Sequence, residues 1–425
     1  MTSDEAIAYI ETDRWNSTRL GLERIRELLL RLGNPEKSLK FIHTAGSNGK
    51  GSTCAMLERI LREAGYRTGL YTSPYIRSFY EQIQISGEFM DPSDLARITE
   101  LVRKEADAME DHPSRFELLT AIAMLYFKEQ QCDIVVLEVG MGGALDSTNV
   151  IEAPEAAVIT NIGLDHTEYL GNTLAEIAAV KAGIIKPGCT VISYESSPEV
   201  LDVLYQTATE NHADFRVARV SEIAPVSLSL DGSEFICRGE SYHLSLLGVH
   251  QLSNAAVVLE TIKALREKGW VIPEEAVQRG LRKVTWPVRF EVMNRNPLFV
   301  IDGGHNPQCT EVLTENLDIL VPETKSVFLL GVLADKDYRR MTELLLPYAS
   351  EFICLTPLSP RALPAGELAR CLREQGAEAT YFDSISEGLS RAFERAGNDG
   401  SIIAFGSLYL VGAIRSAFQK ENHDD

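Results

Sequence analysis

No C-x-x-C pair occurs in this 425-residue chain, whose seven cysteines, Cys54, Cys132, Cys189, Cys237, Cys309, Cys354 and Cys371, are scattered and odd in number. That spacing argues against a disulfide framework and against a zinc ribbon, and it leads us to expect a reduced, cytoplasmic protein. Positive charge is scarce as well. Lys and Arg total 41 against 61 Asp and Glu, a formal net charge of -20, so the basic footprint that nucleic acid requires is missing. A small anion held by a few local cations is not excluded. Long apolar runs are also absent: "SIIAFGSLYLVGAI" is too short and too broken by glycine to span a bilayer, and "MTSDEAIAYIETDRW" is acidic and polar, unlike a secretory signal. Neither a nucleic-acid nor a membrane role is expected. No internal repeat or low-complexity segment is present.

What is present is length and alternation. A chain this long exceeds what one hydrophobic core usually holds, so two domains are expected. After an opening helix ending at "RLGNP", strand-like and helix-like segments alternate through "FIHTAGSNGKGS", "RTGLYTS", "FELLTAIAMLYFKEQ", "CDIVVLEVG" and "EAAVITNIG". Such alternation means an α/β fold with a mainly parallel sheet covered by helices. The run from about Phe215 to Leu247 breaks the rhythm and reads as a small, hairpin-rich β patch. A second alternation begins at "PLFVIDGGHNP" and reads as a Rossmann-like α/β unit. The expected organisation is a P-loop ATPase-like domain over residues 1–293, a linker at Asn294–Pro297 ("NRNP"), and a C-terminal domain over residues 298–425.

The stretch "FIHTAGSNGKGSTCAMLERIL" has the order strand, glycine-rich turn, lysine, hydroxyl residues, helix. It departs from the common phosphate-loop pattern, since Thr44 stands where the first glycine belongs and Gly51 follows Lys50. Backbone N–H groups at a glycine turn before a helix still make an anion site. A tight turn with a solvated lysine is the bland alternative.

Other candidates lie at strand ends, where ligands bind in open parallel sheets. Glu138 ends "CDIVVLE"; a buried carboxylate there calls for a metal or a donor, and metal is the preferred reading. Gly142 and Gly143 follow it. Asp165 and His166 end "VITNIGLDH". Lys181 sits in the apolar "TLAEIAAVKAGIIKPG", where burial lowers an amine's pKa. A neutral lysine can react with carbon dioxide to give a carbamate, and a snorkelling lysine is the alternative. His250, Gln251 and Asn254 open a helix. Arg289 in "WPVRFEV" can hold a phosphate in bidentate fashion. Asp302 and His305 in "VIDGGHNP" suit a ribose hydroxyl and a base, although a strand-to-helix turn would explain each alone.

Together "AGSNGKGST", "YTSPYIRSFYEQIQISG", "LEVGMGGALDSTNVI", "ITNIGLDHTEYLGNTLAEIAAVKAGIIKPG", "HQLSNAA", "WPVRFE", "DGGHNP", "GVLADKD" and "GSLYLVG" resemble the folylpolyglutamate synthases and their bifunctional dihydrofolate synthase relatives among the Mur-type amide ligases. In that superfamily A-G-S/T-N-G-K is the ordinary loop. The resemblance implies a monomeric ligase that joins L-glutamate to a folate or pteroate through an acyl phosphate. It implies that Asn48, Gly49, Lys50, Gly51, Ser52 and Thr53 hold the phosphates of ATP, and that Asn254, Arg289, Asp302 and His305 contact the nucleotide. It further implies two magnesium ions bound by Ser73, Glu138 and His166, with Lys181 carried as a carbamate. Lys50, Lys181, His166 and Arg289 become the catalytic set. The pterin-bearing substrate would meet Phe116, Glu117, Leu145, Asp146 and Ser147, and Ser73 to Gly87 would form a mobile loop. Three positions depart from the family's usual wording: Ala144 for Arg, Val288 for Gly and Gly304 for Ala. A ligase acting on a cell-wall nucleotide precursor is disfavoured, because little chain precedes the loop for a uridine-nucleotide domain. A non-catalytic ATP switch would not need Ser73, Glu138, His166 and Lys181. Whether dihydropteroate, tetrahydrofolate or both are substrates stays open at this level.

Overall fold

The computed structural model describes residues 1–12, 19–165, 167–321 and 325–421. Its contacts divide the chain into two compact units. The first takes Met1–Ala224, Ile236–Tyr242 and Ser253–Val284; the second takes Pro225–Phe235, His243–Leu252 and the chain from Thr285 onward. The chain therefore passes from one unit to the other several times, where the sequence suggested a single boundary.

The first unit is built on eight strands: β1 (Phe41–Ala45), β2 (Thr68–Tyr71), β3 (Ile83–Ile85), β4 (Glu88–Phe89), β5 (Ile134–Glu138), β6 (Ala156–Ile159), β7 (Thr190–Tyr194) and β8 (Asp214–Ala218). Their order is β4-β3-β2-β5-β1-β6-β7-β8. All neighbours from β2 to β8 run parallel, and the β2-β3 and β3-β4 pairs are antiparallel. β1 and β5 are buried along their whole length because both faces are covered, as in parallel sheets generally. The helix Arg115–Glu129 is likewise buried almost all round, which explains its weak apolar periodicity. One core gathers Leu28, Tyr71, Ile122, Phe127, Val135 and Leu137; another gathers Ala45, Ile159, Ile177, Val191 and Leu204. Each fully buried large side chain here contributes roughly 1.5–3 kcal/mol.

The expected β patch is found as β9 (Ile223–Ser229), β10 (Gly232–Cys237) and β11 (Glu240–Leu244), while Asp214–Ala218, read as the edge of that patch, joins the large sheet instead. The single opening helix of the sequence reading is two, Ser3–Ile10 and Glu23–Arg31; the first is opened by a capping box between Thr2 and Glu5. Of the segment expected as a mobile loop, Ser73 to Gly87, the second half is anchored in the sheet by β3.

The second unit carries β12 (Glu291–Arg295), β13 (Leu298–Ile301), β14 (Ser326–Leu330), β15 (Ala349–Cys354), β16 (Ala379–Tyr381) and β17 (Ser401–Phe405), in the order β12-β13-β17-β14-β15-β16. Only β12 is antiparallel to its neighbour. Asn294–Pro297, read as a linker, is the end of β12 and the Asn296–Pro297 turn of the β12-β13 hairpin inside this unit, where Asn294 Nδ2 donates to Pro297 O at 2.9 Å. The sheet packs into a core of Val300, Phe328, Leu330, Phe352, Ile403 and Phe405.

Candidate functional site

The loop after central strand β1 is shaped by close backbone approach. A Cβ at Gly46 would lie 1.8 Å from Thr160 Oγ1, and Gly49, at φ +86°, would place one 2.6 Å from Asn254 Oδ1. Ser47 N–H donates to Asn161 O at 2.7 Å, and Thr160 Oγ1 donates to Asn48 O at 2.8 Å, so the turn is tied to the end of β6. The helix Lys50–Glu63 then starts at Gly49 with no side-chain cap, the arrangement in which a bound anion can take the cap's place. Gly51, Ser52 and Thr53 make its first turn. Thr53 N–H bonds to Gly49 O at 3.0 Å, while its buried hydroxyl has no protein partner.

Two ammonium groups converge on one acceptor. Lys50 Nζ donates to Gly46 O at 2.9 Å and to Ser47 O at 3.3 Å, and Lys181 Nζ donates to the same Gly46 O at 2.8 Å. Lys181 lies near the end of the helix Leu174–Ala182 and is 3% exposed. Burial, and then the charge of Lys50, push its pKa down to about 7, against the smaller opposing pull of Asp165 and Asp146. At this helix start Lys50 supplies a cation that attracts negative charge, and Lys181 supplies an amine whose basicity burial has weakened. Gly143 makes this packing possible, since a Cβ there would sit 2.8 Å from the carbonyls of Val180 and Lys181.

β5 ends beside β1, with Glu138 level with Thr44. Glu138 is 5% exposed, and its Oε2 accepts the Ser73 N–H at 3.2 Å. The structure thus brings Ser73 and Glu138 together, whereas His166 lies outside the described residues. No group of three His, Cys, Asp or Glu able to hold a metal occurs among the described residues. Magnesium does not need one: it takes one or two carboxylates, with phosphate oxygens completing its shell. Glu138, a buried carboxylate beside the phosphate-type loop, fits that donor set.

The residues assigned to the substrate's pterin side divide. Phe116 packs on Tyr71 with centroids 5.9 Å apart, and a Cβ at Gly140 would meet it at 2.5 Å. Glu117 is occupied as a helix cap, accepting Ser114 N–H at 2.7 Å and Arg24 Nε at 3.0 Å, with Oε1 buried and lacking a protein donor. Leu145 is half exposed. Asp146 is buried and accepts Met141 N–H at 2.9 Å and Thr148 N–H at 3.0 Å; burial raises its pKa despite those bonds. Ser147 follows it at the start of a short 3-10 turn.

In the second unit, Asp302 Oδ2 accepts Phe290 N–H at 2.8 Å and Oδ1 accepts Gly304 N–H at 2.7 Å. Burial raises the Asp302 pKa, and the neighbouring Arg289 opposes the shift. Arg289 Nη1 donates to Val288 O at 3.1 Å, and His305 Nδ1 lies 3.1 Å from Gly303 O. Val288 and Phe290 both adopt positive φ, +53° and +46°. For Val this is a true outlier, costing about 1–3 kcal/mol.

Two participants escaped the sequence reading. His43, fully buried in β1, bonds through Nε2 to Thr148 Oγ1 at 2.8 Å, and Thr148 Oγ1 donates to Asp146 Oδ1 at 2.5 Å. Its signal was a lone imidazole inside an apolar strand. Arg24 carried no signal, being one of several arginines on an amphipathic helix.

Comparison with known proteins adds the following. A family profile for the Mur ligase middle domain matches residues 44–262, and one for the Mur ligase glutamate ligase domain matches residues 288–408. The chain is 33% identical to a dihydrofolate synthase/folylpolyglutamate synthase of Bacillus subtilis, over 96% of this chain and 98% of that protein. It is 33% identical to a folylpolyglutamate synthase of Lacticaseibacillus casei, over 98% of each. Among solved structures, E. coli FolC in complex with DHPP and ADP superposes with a TM-score of 0.88 at 29% identity, covering 99% of both chains. Folylpolyglutamate synthase of Mycobacterium tuberculosis, complexed with ADP and AMPPCP, gives 0.87 at 31% identity, covering 98% of this chain and 99% of that one.

Proposed function

Because this chain belongs to the folylpolyglutamate synthase/dihydrofolate synthase family of Mur ligases, we propose that it joins L-glutamate to a folate-type carboxylate in an ATP-dependent reaction. The observation that carries the reading is Lys50, bonded to Gly46 O at the uncapped start of a helix, beside the buried amine of Lys181. That arrangement suits a triphosphate.

A carboxylate is a poor electrophile, so amide formation needs activation. In the proposed reaction the acceptor's carboxylate oxygen attacks the γ-phosphorus of ATP and ADP leaves. The glutamate amine then attacks the acyl carbon, phosphate departs, and the nitrogen loses a proton. Asn48, Gly49, Gly51, Ser52 and Thr53 would hold the phosphate chain, with Lys50 neutralising charge as it moves from the γ-phosphoryl group. Asn254, Arg289, Asp302 and His305 would fix the nucleotide. Ser73, Glu138 and His166 would hold magnesium, which when bound screens phosphate charge. Phe116, Leu145, Asp146 and Ser147 would face the pterin-bearing substrate, with Glu117 supporting them through its helix cap. We read the protein as a monomer of the cytoplasm.

Lys181 is proposed to react as the neutral amine with carbon dioxide, forming an N–C bond and releasing one proton. A pKa near 7 leaves much of the amine neutral at ordinary pH. Activity should then fall in buffer stripped of carbon dioxide and return on adding bicarbonate. Indifference to both would count against the carbamate.

The test of the ligase reading is ADP release. Sustained release should require ATP, magnesium, a folate-type acceptor and L-glutamate together, and hydroxylamine replacing glutamate should trap the folate as its hydroxamate. Nucleotide binding with no ADP under any combination would instead support a non-catalytic ATP switch.

A further inference from the structure

Arg289 stands between Val288 and Phe290, both held at positive φ. A β-branched residue keeps that conformation only when its surroundings impose it. Three backbone bonds do so. Val288 N–H donates to Glu291 Oε2 at 2.8 Å, Phe290 N–H to Asp302 Oδ2 at 2.8 Å, and Gly303 N–H to Val288 O at 2.9 Å. Glu291 is in turn clamped from the helix Leu408–Glu421. Arg415 Nε lies 3.1 and 3.0 Å from its two carboxylate oxygens and Nη2 lies 2.9 Å from Oε1, while Arg415 Nη1 donates to Gln419 Oε1 at 3.2 Å. The pair is largely buried, with side-chain exposures of 14% for Arg415 and 24% for Glu291. The Arg289 guanidinium also passes so close to Gly303 that a Cβ there would sit 2.9 Å from Nη1.

An ion pair whose carboxylate ends on the N–H of a strained residue does more than join two elements. We propose that Glu291 and Arg415 are positioning residues: they brace the Val288 turn and so hold the Arg289 guanidinium in place for a nucleotide phosphate. The inference rests on the reading of Arg289 as an ATP contact. Without the brace, Val288 relaxes toward negative φ and carries Arg289 with it. Glycine at 288 would populate positive φ without strain, so it should lessen the dependence on Glu291.

The experiment compares KM for ATP, kcat and melting temperature across Glu291→Ala, Glu291→Gln, Arg415→Ala, Arg289→Ala and the double variant Val288→Gly/Glu291→Ala. Losing a hydrogen bond to a charged group corresponds to about a tenfold or greater effect. Glu291→Ala and Arg415→Ala are expected to raise KM for ATP by about tenfold, with kcat changed less. Glu291→Gln, which keeps an acceptor for Val288 N–H, should fall between wild type and Glu291→Ala. The double variant should recover most of the lost affinity. A purely structural pair would lower the melting temperature without moving KM for ATP, and that outcome overturns the proposal. So does a KM defect that Val288→Gly leaves unchanged. If Arg289→Ala itself leaves KM for ATP at the wild-type value, the premise about Arg289 fails. If Arg289→Ala raises it and the Glu291 variants do not, only the bracing role fails. Should Glu291→Ala not fold, the Glu291→Gln and Arg415→Ala arms decide by the same criteria.

Discussion

Lys50 and Lys181 share the Gly46 carbonyl, so removing one changes the surroundings of the other. In Lys50→Ala the repulsion that helps depress Lys181 disappears, and the Lys181 pKa should rise from about 7 toward its ordinary value. Turnover should be abolished with the melting temperature little changed; near-normal turnover would remove the loop assignment. His43 gives a pH prediction. Burial, with a smaller contribution from Lys186, lowers its pKa to about 3 from an ordinary 6.5. The unfolded chain therefore takes up a proton that the folded protein refuses as pH drops below about 6.5, and stability declines until about pH 3. The slope approaches about 1.4 kcal/mol per pH unit for this one group. Denaturant midpoints at about pH 7 and about pH 5 should converge in His43→Gln; an unchanged difference would assign the acid sensitivity elsewhere. At this scale the sequence was legible where a charge interrupts an apolar run, as Glu138 and Lys181 do. It was less so for Glu117. The pattern Ser114-x-x-Glu117 is a capping box, and the structure uses it as one, with Arg24 as the added partner that no local pattern announces.

The helix Lys50–Glu63 depends on a left-handed residue at its start. Gly49→Ala puts a side chain at φ +86° and against Asn254 Oδ1, 2.6 Å from the added carbon. We expect a loss of roughly 1–3 kcal/mol of stability and weaker nucleotide binding, read by thermal melting and by nucleotide titration. A variant that melts and binds like wild type would mean that the turn does not depend on glycine there. Strands and helices of the two alternations were readable because short apolar runs bounded by turn residues alternate with longer helical segments. The β12-β13 hairpin was not: Asn296 and Pro297 are turn-forming residues, and the same composition serves a linker or a tight turn. Only pairing of Glu291–Arg295 with Leu298–Ile301 distinguishes them. The opening segment was read as one helix where the structure has two, the first starting at the Thr2 capping box and ending at Ile10.

On the scale of the whole molecule, alternation predicted two α/β bodies, and among the described residues two of the three sheets are mostly parallel. The repeated passage of the chain between units was not readable, because it depends on contacts between residues far apart in sequence, such as those of the helix Glu274–Lys283 with Lys50–Glu63. The strong acidity argued against a nucleic-acid partner but said nothing about a small anion near a few local cations, and Lys50 at its helix start illustrates that distinction. The most direct measurement of the central claim is the mass of the product formed from ATP, magnesium and isotope-labelled L-glutamate, with tetrahydrofolate as acceptor in one tube and dihydropteroate in another. A folate product heavier by labelled glutamate less one water, in either tube, is the predicted result; both tubes giving product would make the protein bifunctional. No glutamate-bearing product in either tube, from protein that binds ATP, would contradict the account.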